Sequence, residues 1–155
     1  PDATYRLGNP ATARVMLVDE RLTFVDWRAR NFASSTDDIF AFANQDFGQT
    51  GIRHIARYAF GLDPIAPQRS AGGPVFLIRD GHLTVSFRRP AALSDVQHVV
   101  EVSDDLVTWH SGENFWTAFA APEHAGNPEI VSFRAVQPAA DTAKLFMRVR
   151  VIYTP

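Results

Sequence analysis

The chain has 155 residues, 46% hydrophobic and 21% charged, with a formal net charge of −2 at pH 7; that is enough for one domain with a core, or for a small helical part docked on a β domain. The absence of a basic run argues against nucleic acid as a partner, and the absence of cysteine excludes disulfides, thiol catalysis and Cys-ligated zinc without fixing the compartment. No apolar run approaches the roughly 20 residues that a bilayer span needs, and because the chain starts at Pro1 with neither initiator Met nor signal peptide, the expectation is a processed or excised piece of a longer protein.

Residues 1–20 read as a β segment, with Thr4 to Leu7 and Ala13 to Val18 as short extended runs separated by Gly8, Asn9 and Pro10. Their pattern resembles the last strands of a Calx-β or similar extracellular β domain, which makes the segment the tail of a preceding module or an added strand here.

Residues 21–63 read as helical. Thr23 stands as a cap before Phe24, Trp27, Ala29, Asn31 and Phe32, and the cluster Ser34, Ser35, Thr36 and Asp37 precedes Ile39, Phe40 and Phe42. Ile52, Ile55, Ala56, Ala59 and Phe60 then fall on one apolar helix face, and Gly61 stands where a left-handed C-terminal cap belongs.

The approach to that helix has the outline of a twelve-residue calcium loop, which needs oxygen ligands at positions 1, 3 and 5, a Gly at 6 and a bidentate Glu at 12. Counted from Asp46, those positions hold Asp46, Gly48, Thr50, Gly51 and Arg57, with His54 at position 9. The turn glycine is present and the negative charge is missing. A guanidinium at position 12 repels a divalent cation, so the expectation is a degenerate loop with no metal and no cofactor. An ion pair from Arg57 to Asp46 or Asp63 would close it instead.

Pro64, Pro67, Gly72, Gly73 and Pro74 mark residues 64–74 as a linker. From residue 75 to 155 the periodicity changes to two. Val75 to Arg79 and Leu83 to Arg88 flank Asp80 and Gly81, a strong hairpin signal, and further strands are expected at 96–103, 107–110, 115–120, 130–136 and 144–153. Short strands with turn signals every 8 to 12 residues point to a β-sandwich.

Few residues carry chemistry. His54, His82, His98, His110 and His124 lack metal-ligand spacing, and no nucleophile elbow is present. Asp37 with Asp38, and Asp104 with Asp105, read as cap and turn residues, not as the separated carboxyl pair of a glycosidase. Trp109, Phe115, Trp116 and Phe119 cluster around residues 111–114. Trp109 and Trp116 are the candidate stacking residues for a sugar, with sandwich core as the competing reading, favoured for Trp109. Phe115 and Trp116 point to opposite faces of a strand, so one of the two is open to an exposed role.

Gly51, Ile52, Tyr58, Ala59, Gly61, Leu62, Asp63 and Pro64 match the motif D-x-D-x-D-G-L-x-N-x-x-E-Y-A-L-G-L-D-P. Residues 26–32 match W-R-x-x-N-F, and residues 100–109 match V-E-V-S-x-D-L-x-x-W. In these three pieces, taken in order, the chain resembles the C-terminal region of large secreted proteins of Verrucomicrobia and related bacteria. The resemblance implies a secreted or cell-surface location and an accessory role.

The expected fold is mainly β with a small α part, an antiparallel sandwich of immunoglobulin or fibronectin-III type preceded by two or three short helices. The expected function is that of a non-catalytic extracellular module serving assembly, spacing or attachment, with neighbouring domains or subunits of a larger surface protein as partners. The alternative is a carbohydrate-binding module that targets a partner domain to polysaccharide. Catalysis is not expected.

Overall fold

The computed structural model describes residues 22–66, 72–120, 129–141 and 143–155. The β segment read at 1–20, part of the 64–74 linker and His124 lie outside them. Helix α1 (Phe24–Asn31) starts at Thr23, whose hydroxyl accepts from the Asp26 N–H while the Asp26 carboxylate accepts from the Thr23 N–H. Such a reciprocal cap stabilises a helix by about 1 kcal/mol. Helix α2 (Ile39–Asn44) is capped by Asp38, which accepts from the N–H groups of Phe40 and Ala41, one residue beyond the expected cluster.

Helix α3 (His54–Ala59) is shorter than its apolar pattern, because Ile52 and Arg53 still belong to the extended entry. It stops at Gly61, whose φ of 59° brings the Gly61 N–H to the Tyr58 carbonyl at 3.1 Å and the Leu62 N–H to the Arg57 carbonyl at 2.8 Å. This pair of bonds satisfies the last carbonyls of the helix.

Six strands follow: β1 (Val75–Arg79), β2 (His82–Arg89), β3 (Val96–Ser103), β4 (Trp116–Ala120), β5 (Glu129–Pro138) and β6 (Phe146–Tyr153). Asp80 and Gly81 both take positive φ, 50° and 77°, the geometry that lets a two-residue turn match the twist of β1 and β2. All strand pairs are antiparallel. They form a four-stranded sheet in the order β1-β2-β5-β4 and a two-stranded sheet of β3 and β6. The strand expected at 107–110 is instead a turn from which only His110 pairs, with Val102. Ser103 Oγ and Asp105 Oδ1 take up the N–H groups of residues 105–108, so the backbone there wraps around side chains instead of pairing.

The sheets pack face to face. Val85, Phe87, Val131, Phe133 and Trp116 from the larger sheet meet Val100, Met147, Val149 and Val151 from the smaller one, and Phe60 and Leu62 join the same core. A second, aromatic core gathers Phe24, Trp27, Phe42 and Tyr58 with Tyr153 at the end of β6. Helix α3 faces both cores, through Ala56 to the first and through Ile55 and Tyr58 to the second. The helical region is therefore packed on the sandwich. Asp95 pins the junction, accepting from the Tyr58 hydroxyl and from the Phe24 N–H, each at 2.6 Å. Burial first, and the Asp95 carboxylate second, push the Tyr58 hydroxyl pKa well above its usual value.

Candidate functional site

Strand β1 is an edge of the larger sheet, and it is unlike the other strands. Val75, Phe76, Leu77 and Ile78 are 53%, 43%, 58% and 69% exposed. The cause is the unequal size of the two sheets. Strand β6 lies against β2 and β3 against β4, so the inner side of β1, where Phe76 and Ile78 point, is left largely open. The outward Val75 and Leu77 stand at the rim of a groove of about 320 Å³.

Pairing register defines the floor and walls of that groove. Val75 lies opposite Ser86 and Leu77 opposite Thr84, while Arg88 lies opposite Ile130 on β5. Ser86 and Ser132 share a hydrogen bond at 2.8 Å, and the Thr84 hydroxyl donates to the Leu77 carbonyl at 3.0 Å. Arg79 and Arg88 line the groove and no carboxylate does. Gly72 lies close beneath Arg88 and Leu62, since a Cβ there would come to 3.4 Å from the guanidinium and 3.3 Å from Leu62. The result is a free strand edge with apolar side chains on both faces, beside a cationic trough with a hydroxyl floor. An edge of this kind is a template for pairing with another strand.

The loop before α3 is closed from within. Asp46 accepts from the Thr50 hydroxyl at 2.8 Å and from the Gly51 N–H at 2.5 Å. Gly48 and Gly51 hold positive φ, 75° and 80°. Arg57, 0% exposed, donates to Thr50 Oγ1 at 2.9 Å, to the Asp63 carbonyl at 2.7 Å and to the Ala66 carbonyl at 3.1 Å. The expected direct ion pair to Asp46 or Asp63 is therefore corrected. The link to Asp46 runs through the Thr50 hydroxyl, and Asp63 offers its backbone, because the buried guanidinium finds more acceptors among carbonyls at this helix end than carboxylates. Desolvation pulls the Asp46 pKa upward, and the bonds from Thr50 and Gly51 outweigh it and hold it below the usual range.

Trp109 lies outside both cores. Its ring carries the Arg148 guanidinium at 3.9 Å from the centroid, and its indole N–H donates to the Leu106 carbonyl at 3.2 Å. Arg148 and Arg150 in turn hold Glu101, 5% exposed, at 2.7 and 2.8 Å. Desolvation raises the Glu101 pKa and the two arginines overcome it, leaving it lowered. The core position expected for Trp109 gives way to a cation–π lid over the outer face of the smaller sheet. Trp116 points the other way, edge-on to Phe133 at 4.9 Å with its N–H on the Val100 carbonyl at 2.8 Å. Of the neighbouring pair it is Phe115 that lies at the surface, stacked on His110 at 4.7 Å.

Three of the histidines are bound to backbone. His54 meets the Phe42 carbonyl, His82 that of Ala135 and His98 that of Ala59. Burial lowers the pKa of His54 and of His98. Among the described residues, no three metal-ligating side chains gather in one place, and no helix is long and apolar enough to cross a membrane. Sequence periodicity located β1, and its hydropathy read as ordinary strand. The exposure of the strand depends on which sheet lies over it, which no local pattern encodes. No protein-family model, curated protein or solved structure matches the chain.

Proposed function

We propose that this chain is a non-catalytic module of a larger secreted or cell-surface protein, and that it joins a neighbouring domain or subunit by strand addition at β1. The observation that carries this reading is the run of four consecutive exposed apolar residues, Val75 to Ile78, on a sheet edge that is unpaired among the described residues. Burying one such side chain is favourable by about 1.5–3 kcal/mol, and pairing also satisfies the outward N–H and C=O groups of the strand. Edge strands that stay unpartnered are commonly guarded by charge or proline, whereas this one carries charge only at Arg79.

The polysaccharide reading draws less support from Trp109 and Trp116. The first indole already carries Arg148, and the second is turned into the core.

The reading is tested by light scattering over about 10 μM to 1 mM protein, on the wild type and on Leu77→Lys. Association that rises with concentration and disappears in the variant supports edge addition. A mass fixed at that of the single chain across the range, together with a response on a glycan array, would replace it with the carbohydrate reading.

A further inference from the structure

Resting on the edge-addition reading, the geometry points to the chemistry of the added strand: we infer that β1 takes an extended apolar segment that carries a carboxylate, seated so that the acid reaches Arg88. Three features of the groove carry this.

First, among the described residues the charge of this face is one-sided. Register aligns Val75 with Ser86 and Ser132, Leu77 with Thr84 and Arg134, and Arg88 with Ile130. Two arginines and no acidic residue stand on these eight positions. Second, the side chains of Arg88 and Arg134 make no hydrogen bond or ion pair among the described residues. Arg89, which points to the opposite face, is by contrast paired with Glu129. Among the described residues a carboxylate thus answers the neighbouring arginine and none answers Arg88. Third, Arg88 lies at the mouth of the groove. Its guanidinium lies across Gly72 at the end of the groove where β1 begins, close enough that a Cβ at Gly72 would touch it. A strand laid along β1 would pass this point with one side chain in two directed at the trough. An acidic side chain there meets a planar donor fork, the geometry in which arginine binds carboxylate in two places at once.

An extended peptide is favoured over an acidic polysaccharide because the trough is bounded by a free strand edge. That edge offers main-chain partners at a strand's spacing and apolar side chains on both faces, and a uronate polymer would leave both unused.

The experiment uses the full chain and three fluorescent peptides with the same alternating Val and Thr core, N-methylated along one edge to stop self-pairing. They end in two Glu, two Gln or two Lys. Fluorescence anisotropy is expected to give the Glu peptide at least a tenfold lower Kd than the Gln peptide, with the Lys peptide weakest. Arg88→Ala should remove that preference, while Arg150→Ala, on the other sheet, keeps it. Equal binding of all three peptides, abolished by Leu77→Lys, would overturn the carboxylate requirement and leave edge addition standing. Failure of every peptide would overturn both. Binding of a polygalacturonate oligomer with no peptide bound would assign the trough to an acidic glycan and overturn the inference.

Discussion

The region around Arg57 and the region around Arg88 hold the same side chain under opposite conditions. Arg57 is fully enclosed and donates to Thr50 and to two carbonyls of the segment that follows its helix. Arg88 lies on an exposed sheet face whose eight aligned positions hold no acid. The outer face of the smaller sheet resembles the first case, since Glu101 answers both Arg148 and Arg150 and Trp109 covers Arg148. Arg57 and Glu101 are thus met by other groups of the chain. Among the described residues the Arg88 guanidinium is met by no carboxylate.

If that contrast is correct, perturbing the enclosed side costs stability and perturbing the open side costs association. The largest effect belongs to Arg57→Ala, which strips donors from the buried Thr50 hydroxyl and from two part-buried carbonyls and is expected to destabilise by about 3 kcal/mol, read by urea unfolding. Thr50→Val should lose a smaller part, roughly 1–2 kcal/mol, because the hydroxyl's bonds to Asp46, Ile52 and Arg57 go while Arg57 keeps its two carbonyls. An Arg57→Ala chain as stable as the wild type would mean that the loop is not closed by this residue, and the contrast would break at its stronger end.

Next comes Glu101→Gln. The carboxylate is buried but its two arginines are about half exposed, so solvent screening limits the expected loss to roughly 1 kcal/mol. The same substitution should flatten the acid limb of the stability profile. Glu101 has a lowered pKa in the folded chain, so its contribution is present above the unfolded value near 4.5 and disappears as pH falls through the folded one.

A third test is the pH dependence at milder acidity. Burial depresses the pKa of His54 and of His98, so the folded state favours their neutral forms. Stability is then full above the unfolded histidine value of about 6.5 and declines as pH drops below it. His54 sits between Phe42 and Phe32, at 4.3 and 4.7 Å, with its Nε2 unpartnered. Thermal melts from pH 7.5 to 5 should fall for the wild type and fall less for His54→Phe.

The smallest expected change in stability is at the edge itself. Leu77→Lys and Ile78→Lys are surface substitutions and should shift unfolding by no more than about 0.5 kcal/mol while abolishing concentration-dependent association. A large loss of stability would show that β1 is covered in solution, and the distinction between open and closed regions would have to be redrawn. Melts with 5 mM calcium and then with EDTA should coincide, because Arg57 occupies position 12 of the loop from Asp46.

Much of the secondary structure was legible from local rules. Thr23 before Phe24 announced α1, Gly61 after Phe60 announced the end of α3, and Asp80 with Gly81 announced the β1–β2 hairpin. Each works through bonds that span only a few residues, so a short window contains the cause. The reading failed at 107–110, where Ser103 and Asp105 compete for the backbone. It also failed for Trp109, because the partner of its ring, Arg148, lies 39 positions away in sequence.

Short-range signals therefore account for most of the elements, the hairpin turn, the charge-poor loop at Asp46 and the mainly antiparallel β character, since propensity, capping and alternation act within a few residues. The burial of Arg57 against Thr50 and carbonyls, the outward Trp109 with the inward Trp116, and the open face of β1 arise from the assembled fold. Those outcomes depend on how many strands each sheet contains and on which strand lies over which, and those are properties of long-range pairing that no single segment of the chain carries.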